Sequence, residues 1–336
     1  MTTSSKRPPW EVSLQDFPSA LPIQEQLEFL LQYAILAPST KNTQPWRFSI
    51  GEDTVGLFAD LTRWQPVSDR GRRELYISMG CALENLLVAA EQFGFGHSVT
   101  YFPEPENEEL VATVTLHPGG TPSPCRTGIS LATIAERRTQ HGMYRQTPID
   151  HEVRRRLLLC CADDGLRVDL TEDRSIRNRV LELNLHADEM DFANPEFRKE
   201  LGYWMSKGGL AGSRLLSRLA GLLVSHVDVG RTISKRNAAI LASAPLVGLI
   251  SARRDDRVSQ VKTGQALERV WLLATRLAIG LQPMSQALEI PSLRTSLARV
   301  CPEQGWIPEQ VFRVGYPSCP QRGHTPRRPV SEVLLG

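Results

Sequence analysis

The chain has 336 residues, with 39 Lys and Arg against 37 Asp and Glu, a formal charge of +2. That balance excludes nucleic-acid binding by bulk charge and leaves room only for a local basic pocket. The length buries a sizeable core in about two domains or one large one, and no run approaches about 18 uninterrupted apolar residues, so no membrane span is expected. The segment 210–224 comes closest, but Ser213, Arg214, Ser217 and Arg218 interrupt it. The first ten residues, MTTSSKRPPW, hold no apolar core of a secretory signal. Six cysteines form no CxxC pair. They are read as reduced thiols of a cytoplasmic protein and not as zinc ligands.

In chain order, residues 1–22 are Pro-rich and read as a surface arm. A helix is expected over 23–37, with Ile23, Leu27, Leu30, Leu31 and Ala34 as its apolar stripe and Pro38 at its end. A polar loop, 39–46, leads into strands at 47–50 and 55–59, joined by Gly-Glu-Asp as a hairpin. Asp69 can cap a second helix over 71–93, with Gly94 as its stop. Asn85 falls on that helix, away from any loop. Residues 111–116 read as a strand and 117–128 (HPGGTPSPCRTG) as the linker between two halves. Helices are expected near 129–137, 150–162, 173–193, 195–206 and 210–224, a buried strand at 245–250, a long helix over 263–279 and a last strand at 311–316.

The two halves are similar. Sliding residues 80–96 by 184 positions onto 264–280 aligns Gly80 with Gly264, Ala82 with Ala266, Leu83 with Leu267, Glu84 with Glu268, Ala90 with Ala274 and Gly96 with Gly280. Val55-Gly56-Leu57 matches Val247-Gly248-Leu249 at a nearby offset. The expected architecture is therefore α+β: two copies of one unit, residues 1–125 and 126–336, fused as a single-chain version of a two-fold dimer.

The string APSTKNTQPWRF (37–48) resembles the APSxxNxQPWxF signature of the nitroreductase superfamily of FMN proteins. Residues 59–86, 264–290 and 312–334 are similar to the Acg-like branch, in which two nitroreductase units are fused in one chain. The resemblance implies a nitroreductase-like fold as a pseudo-dimer, each unit a mixed or antiparallel sheet flanked by helices. It also implies FMN as cofactor, NADPH or NADH as electron donor, a small-molecule acceptor such as a nitroaromatic or quinone, and no nucleic-acid or membrane partner. The family site needs an Arg-Arg-Ser-type start, a PSxxNxQ loop and a basic tail. Here these would be Arg137, Arg138 and Thr139; Pro38, Ser39, Asn42 and Gln44; and Arg327 with Arg328. Thr139 replaces the Ser but keeps a hydroxyl. The family's second arginine falls in Gln140-His141-Gly142-Met143. Where a second PSxxNxQPW should stand, the chain reads Cys160-Cys161-Ala162-Asp163-Asp164-Gly165. One complete site can be assembled, and the chain is expected to be a monomer that imitates a dimer.

The residue types suit that cofactor. An arginine fork gives paired, charge-assisted bonds to a phosphate. Adjacent arginines are by themselves more often a solvated pair; the resemblance makes all four candidates and leaves open which of each pair meets the phosphate. Ser39, Asn42 and Gln44 are short polar groups in a Pro-stiffened loop and could reach the ring. Trp46 is core or a wall beneath it. The resemblance places Met284, Ser285 and Gln286 beside the flavin N5, where a backbone N–H would stabilise an electron-rich ring. Ser225, His226 and Asp228 lack a nucleophile elbow and make no hydrolase triad. The segment 186–226 corresponds to a lid insertion of the Acg-like branch. Two functions remain: an FMN oxidoreductase, or a slow-turnover FMN store or sensor under a closed lid.

Overall fold

The computed structural model describes residues 8–161, 163–209, 238–300, 303–321 and 323–336. The first half runs α1 (Ile23–Ala34), β1 (Trp46–Ile50), β2 (Thr54–Ala59), α2 (Arg73–Gln92), β3 (Phe95–Tyr101) and β4 (Leu110–Pro118). The second runs α3 (Leu131–Glu136), α4 (His151–Leu159), β5 (Leu166–Thr171), α5 (Arg174–Ala193), α6 (Pro195–Trp204), β6 (Leu246–Ala252), α7 (Arg257–Arg276), β7 (Gly280–Pro283), α8 (Pro291–Ala298), β8 (Ile307–Gly315) and α9 (Val330–Val333). The helix expected at 210–224 lies outside the described residues.

Each half builds a four-stranded antiparallel sheet of one order, β1-β2-β4-β3 and β5-β6-β8-β7. A register shift interrupts the equivalent pairing in each, between Leu57 and Phe58 and between Ile250 and Ser251. The offset of 184 holds for the central helices, since Arg73–Gln92 and Arg257–Arg276 are both 20 residues long. These two helices pack on each other between the sheets. Nearly every residue of α2 is buried, its polar members Arg73, Glu74, Glu84, Asn85 and Glu91 included, because the helix is enclosed on all sides. The main core joins both halves and includes Trp46, Phe48, Trp271 and Phe312, all essentially inaccessible. Full burial of each contributes roughly 1.5–3 kcal/mol, as an upper figure.

Several boundaries differ from the sequence reading. The first helix stops at Ala34, and Thr40–Asn42 forms a separate 3₁₀ turn. Asp69 does accept from the backbone N–H groups of Glu74 (3.1 Å) and Leu75 (2.9 Å), while Arg72 holds the left-handed position before the helix. Gly94 ends that helix at φ 82°, where a Cβ would be strained. The long helix of the second half begins at Arg257, six residues before the expected start, because Asp256 caps it through Ser259 N (2.8 Å). Strands β3, β5 and β7 were not expected, being short or rich in Gly and polar residues. The expected linker is no free tether: residues 117–118 belong to β4, and Arg126 is buried on Glu84. The five described cysteines are unpaired thiols. None of the described helices is long and apolar enough to cross a membrane.

Candidate functional site: an arginine cluster against a strained polar loop

The loop after α1 is strained. Lys41, Asn42 and Gln44 all take left-handed φ values, 51°, 57° and 52°. Non-glycine residues rarely adopt that region, and such strain persists only where the surroundings enforce it. Ser39 Oγ accepts from Gln44 N at 2.8 Å and closes the loop. Trp46 and Phe48, the first inward residues of β1, anchor its far end in the core.

The tail of the second half lies against this loop. Asn42 Oδ1 accepts from Arg327 Nη1 at 2.9 Å, and its Nδ2 donates to the carbonyls of Pro326 (3.0 Å) and Gly208 (3.2 Å). Gln44 Oε1 accepts from the Arg328 backbone N–H at 2.7 Å, and its Nε2 donates to Pro326 O at 3.3 Å. A parallel bridge between Phe48 and Leu334 and a bond from Leu335 N to Phe48 O (2.7 Å) fasten the end of the chain to β1.

Arg137 and Arg327 converge from opposite sides of the sequence: each donates an Nη2 hydrogen to the Leu36 carbonyl, at 3.0 and 3.2 Å. Arg137 also stacks over the Trp271 ring at 4.7 Å. Arg138 donates to the Gly323 carbonyl (2.9 Å) and to His324 Nε2. His324 stacks on Trp10 of the N-terminal arm, with ring centres 4.0 Å apart and planes within 5°. Arg328 takes a different course. Its side chain binds Gln44 O (3.1 Å) and Asp60, so it braces the loop. Thr139 bridges to Leu281 of β7 through the backbone.

The cluster is short of negative charge. Burial, then the repulsion of Arg137, lowers Arg327 to about 9. Burial and Arg137 lower Arg138 to about 10. Burial and the three arginines Arg138, Arg327 and Arg137 lower His324 to about 4. Among the described residues the buried Arg327 Nε has no hydrogen-bond partner, and the buried Arg137 Nε faces only the Glu268 carboxylate, 3.3 Å away, without a formed hydrogen bond. Buried charges are ordinarily paired, so unbonded arginine donors in a cationic cluster are suited to an anion.

Met284, Ser285 and Gln286 have surroundings of their own. They follow β7, and Met284 packs in a second, smaller core with Val180, Leu183 and Ala287. Ser285 pairs with Gln310, and Gln286 Oε1 is buried without a partner among the described residues. No described hydrogen bond joins these three residues to Asn42, Gln44 or Arg327. The structure therefore brings together Arg137, Arg138, Ser39, Asn42, Gln44 and Arg327, with Pro38, Thr139 and Arg328 beside them.

The described part of the segment 186–226 lies against the loop. Glu200 of α6 accepts from Val67 N (3.0 Å), Ser68 N (3.1 Å) and Lys41 Nζ (3.4 Å). Lys41 also lies 4.8 Å over the Phe197 ring, and Arg63 lies 5.5 Å over Trp204. Residues 210–226 lie outside the described residues.

Sequence reasoning missed several members. Asn85 is not remote from the site. With its amide turned to suit its neighbours, it donates to Glu268 Oε1 (3.0 Å) and accepts from Ala37 N (3.2 Å). Glu268, fully buried on α7, stands 3.3 Å from Arg137 Nε. The identity of Glu84 and Glu268 in the repeat was the available signal. Trp10, His324 and the Gly208 carbonyl carried none.

The mirrored position in the other half is filled. Glu84 accepts from Arg126 Nε (2.6 Å) and Arg126 Nη2 (3.1 Å), from Arg269 Nη1 (3.0 Å) and from Gln265 Nε2 (3.1 Å). Arg269 stands where the repeat has Asn85. It reaches on to the Cys160 carbonyl (2.7 Å) and to Asp163. Side chains thus neutralise one another there.

No family model matches the chain. It is 26% identical over 322 residues to Rv3131 of Mycobacterium tuberculosis, a provisionally named NAD(P)H nitroreductase, covering 93% of this chain and 92% of that protein. It is 24% identical over 331 residues to acg of the same organism, also provisionally named an NAD(P)H nitroreductase, covering 94% and 97%. Among solved structures, a nitroreductase with bound FMN from Desulfitobacterium hafniense is similar over 58% of this chain and 93% of its own, with 13% identity and a TM-score of 0.40.

Proposed function

The chain belongs to the nitroreductase superfamily, in its Acg-like branch, and we propose that it binds one FMN and acts as an NAD(P)H-dependent oxidoreductase on a small acceptor. The observation that carries this reading is the arginine cluster, with two buried Nε groups that form no hydrogen bond among the described residues, beside the strained Asn42–Gln44 loop. Arg137, Arg138 and Arg327 would hold the phosphate. Charge-assisted bonds of this kind are worth about 1.5–3 kcal/mol each. Arg328 would set the Gln44 side chain, and Thr139 would carry the hydroxyl of the arginine-arginine segment. Pro38, Ser39, Asn42 and Gln44 would face the ring, and the backbone at Met284–Gln286 its far edge. FMN supplies two-electron chemistry when bound, so the chain's task is to bind, orient and exclude water.

The two units, 1–125 and 126–336, supply both sides of this site, which supports a monomeric protein with one flavin. The neutralised Glu84 position supports a single site.

A second reading has its own support. Gly208, through Asn42, and Glu200, through Lys41, fasten α6 and residues 205–208 to the loop that would face the ring. A segment held there would keep nicotinamide away, and the protein would store or sense FMN with little turnover. Anaerobic mixing of the flavin-loaded protein with NADPH and then NADH separates the two. Bleaching of the flavin absorbance within seconds supports the enzyme; a flavin left oxidised for many minutes supports the store. A protein that retains no FMN overturns both.

A further inference from the structure

Position 84 of the first repeat and position 268 of the second are both glutamate, both fully buried and both on the central helices. Their surroundings differ. Burial would raise Glu84, but Arg126 and Arg269 outweigh it and hold its carboxyl below the usual range. Glu268 has one ion pair, with Arg137, where Glu84 has two arginines hydrogen-bonded to it. Its Oε1 meets the Asn85 amide and stands 3.3 Å from Arg137 Nε without a formed hydrogen bond, and its Oε2 has no partner among the described residues.

We infer that Glu268 is a proton-carrying member of the anion site: when a phosphate dianion engages Arg137 and Arg327, Glu268 takes up one proton from solvent. The inference rests on the FMN reading above. Its ground is geometric. The carboxylate is sealed from water, half unsatisfied among the described residues, and draws its compensation from two arginines whose Nε groups form no hydrogen bond there. A dianion arriving at those guanidiniums cancels the positive field that keeps the carboxylate ionised. Every charged or titratable group identified around Glu268 acts in this sense or is already fixed. On α2, Glu84 repels it and Cys81 is a thiol pushed up by burial. Arg137, after α3, and Arg327, in the tail, attract it. In the absence of an anion, burial already lifts Glu268 to about 7, with Arg137 opposing. A further rise on binding would therefore fall in the working pH range.

The sign follows from linkage. A group whose pKa rises on binding favours binding fully below its free value, and that contribution is lost as pH rises from there through the bound value. The FMN phosphate itself titrates near pH 6 and acts in the opposite direction, below this window.

The test is calorimetric titration of the flavin-free full-length protein with FMN between pH 7 and 8.5, in two buffers of different ionisation enthalpy, with riboflavin as the uncharged probe. The expected result is net proton uptake with FMN and an affinity falling by up to about tenfold per pH unit. Glu268→Gln should bind FMN more tightly than the wild type at pH 8.5, and its slope should be flat. Riboflavin should show neither effect. Proton-neutral FMN binding by the wild type, which needs no variant, overturns the inference and leaves the FMN reading standing. So does a Glu268→Gln protein that keeps the wild-type slope. Absence of any FMN binding removes the reading beneath it, and the inference with it.

Discussion

Gly80 and Gly264 meet where the two central helices cross, and each excludes a side chain on the other. A Cβ added at Gly80 would lie 2.0 Å from Val261 O and 2.9 Å from Gly264 Cα; one added at Gly264 would lie 2.0 Å from Ile77 O and 2.9 Å from Gly80 Cα. Ile77 and Val261 are themselves 184 apart, so the contact is reciprocal in the way of a two-fold axis.

Gly80→Ala or Gly264→Ala should therefore force the helices apart. Overpacking of this kind costs about 1–3 kcal/mol or more, and backbone atoms cannot yield as a side chain would. Thermal unfolding should show a clearly lower midpoint for either variant. An unchanged midpoint would mean that the two halves do not dock through these glycines.

Asn42→Ala should weaken FMN retention by about 1–3 kcal/mol, the usual cost of leaving buried polar partners unmet. It removes the acceptor of Arg327 and the donor to Pro326 together. Asn107→Ala, in the exposed loop before β4, is the control. Fluorescence titration giving equal affinities for both would take Asn42 out of the site.

Glu200→Ala removes the acceptor of Val67 N, Ser68 N and Lys41 Nζ. If α6 restricts access to the flavin, stopped-flow reduction by NADPH should become several-fold faster, with FMN still bound. The same rate in both proteins would show that this fastening does not limit the reaction.

Arg126→Ala should destabilise the chain by about 3–5 kcal/mol, because it leaves Glu84 as a poorly compensated buried charge. Denaturant unfolding measures this. Flavin extracted from the loaded wild type should stay near one per chain, since Arg269 and Asp163 fill the mirrored position.

Asp191 carries a pH dependence of its own. Burial raises it to about 7, with Lys41 opposing and Asp188 and Glu289 adding repulsion. Its folded value lies above the unfolded one, so its contribution is complete below about pH 4 and is lost as pH rises through 7. Asp191→Asn should raise the unfolding midpoint at pH 8.5 more than at pH 5. Equal shifts at both would show that Asp191 ionises freely in the native state.

Local sequence determined the elements whose signals are local. The apolar stripe of α1, the Gly94 stop and the hairpin at 47–59 follow from periodicity and turn chemistry. The repeat was also legible, because helices that pack this closely need small residues at fixed positions, and Gly80 and Gly264 cannot drift. Resemblance to the nitroreductase signature marked Asn42, Gln44, Arg137 and Arg327 as candidates, since loop and tail carry its strings. Tertiary structure decided what those residues meet. Nothing in the Arg327-Arg328 pair says that one joins Arg137 at the Leu36 carbonyl while the other braces Asp60; that depends on how the tail crosses β1. Nor does the identity of Glu84 and Glu268 say that one is saturated by arginines and the other left half-satisfied. Charge compensation is a property of neighbours in space, and the neighbours of Glu268 come from residues 85, 137 and 327.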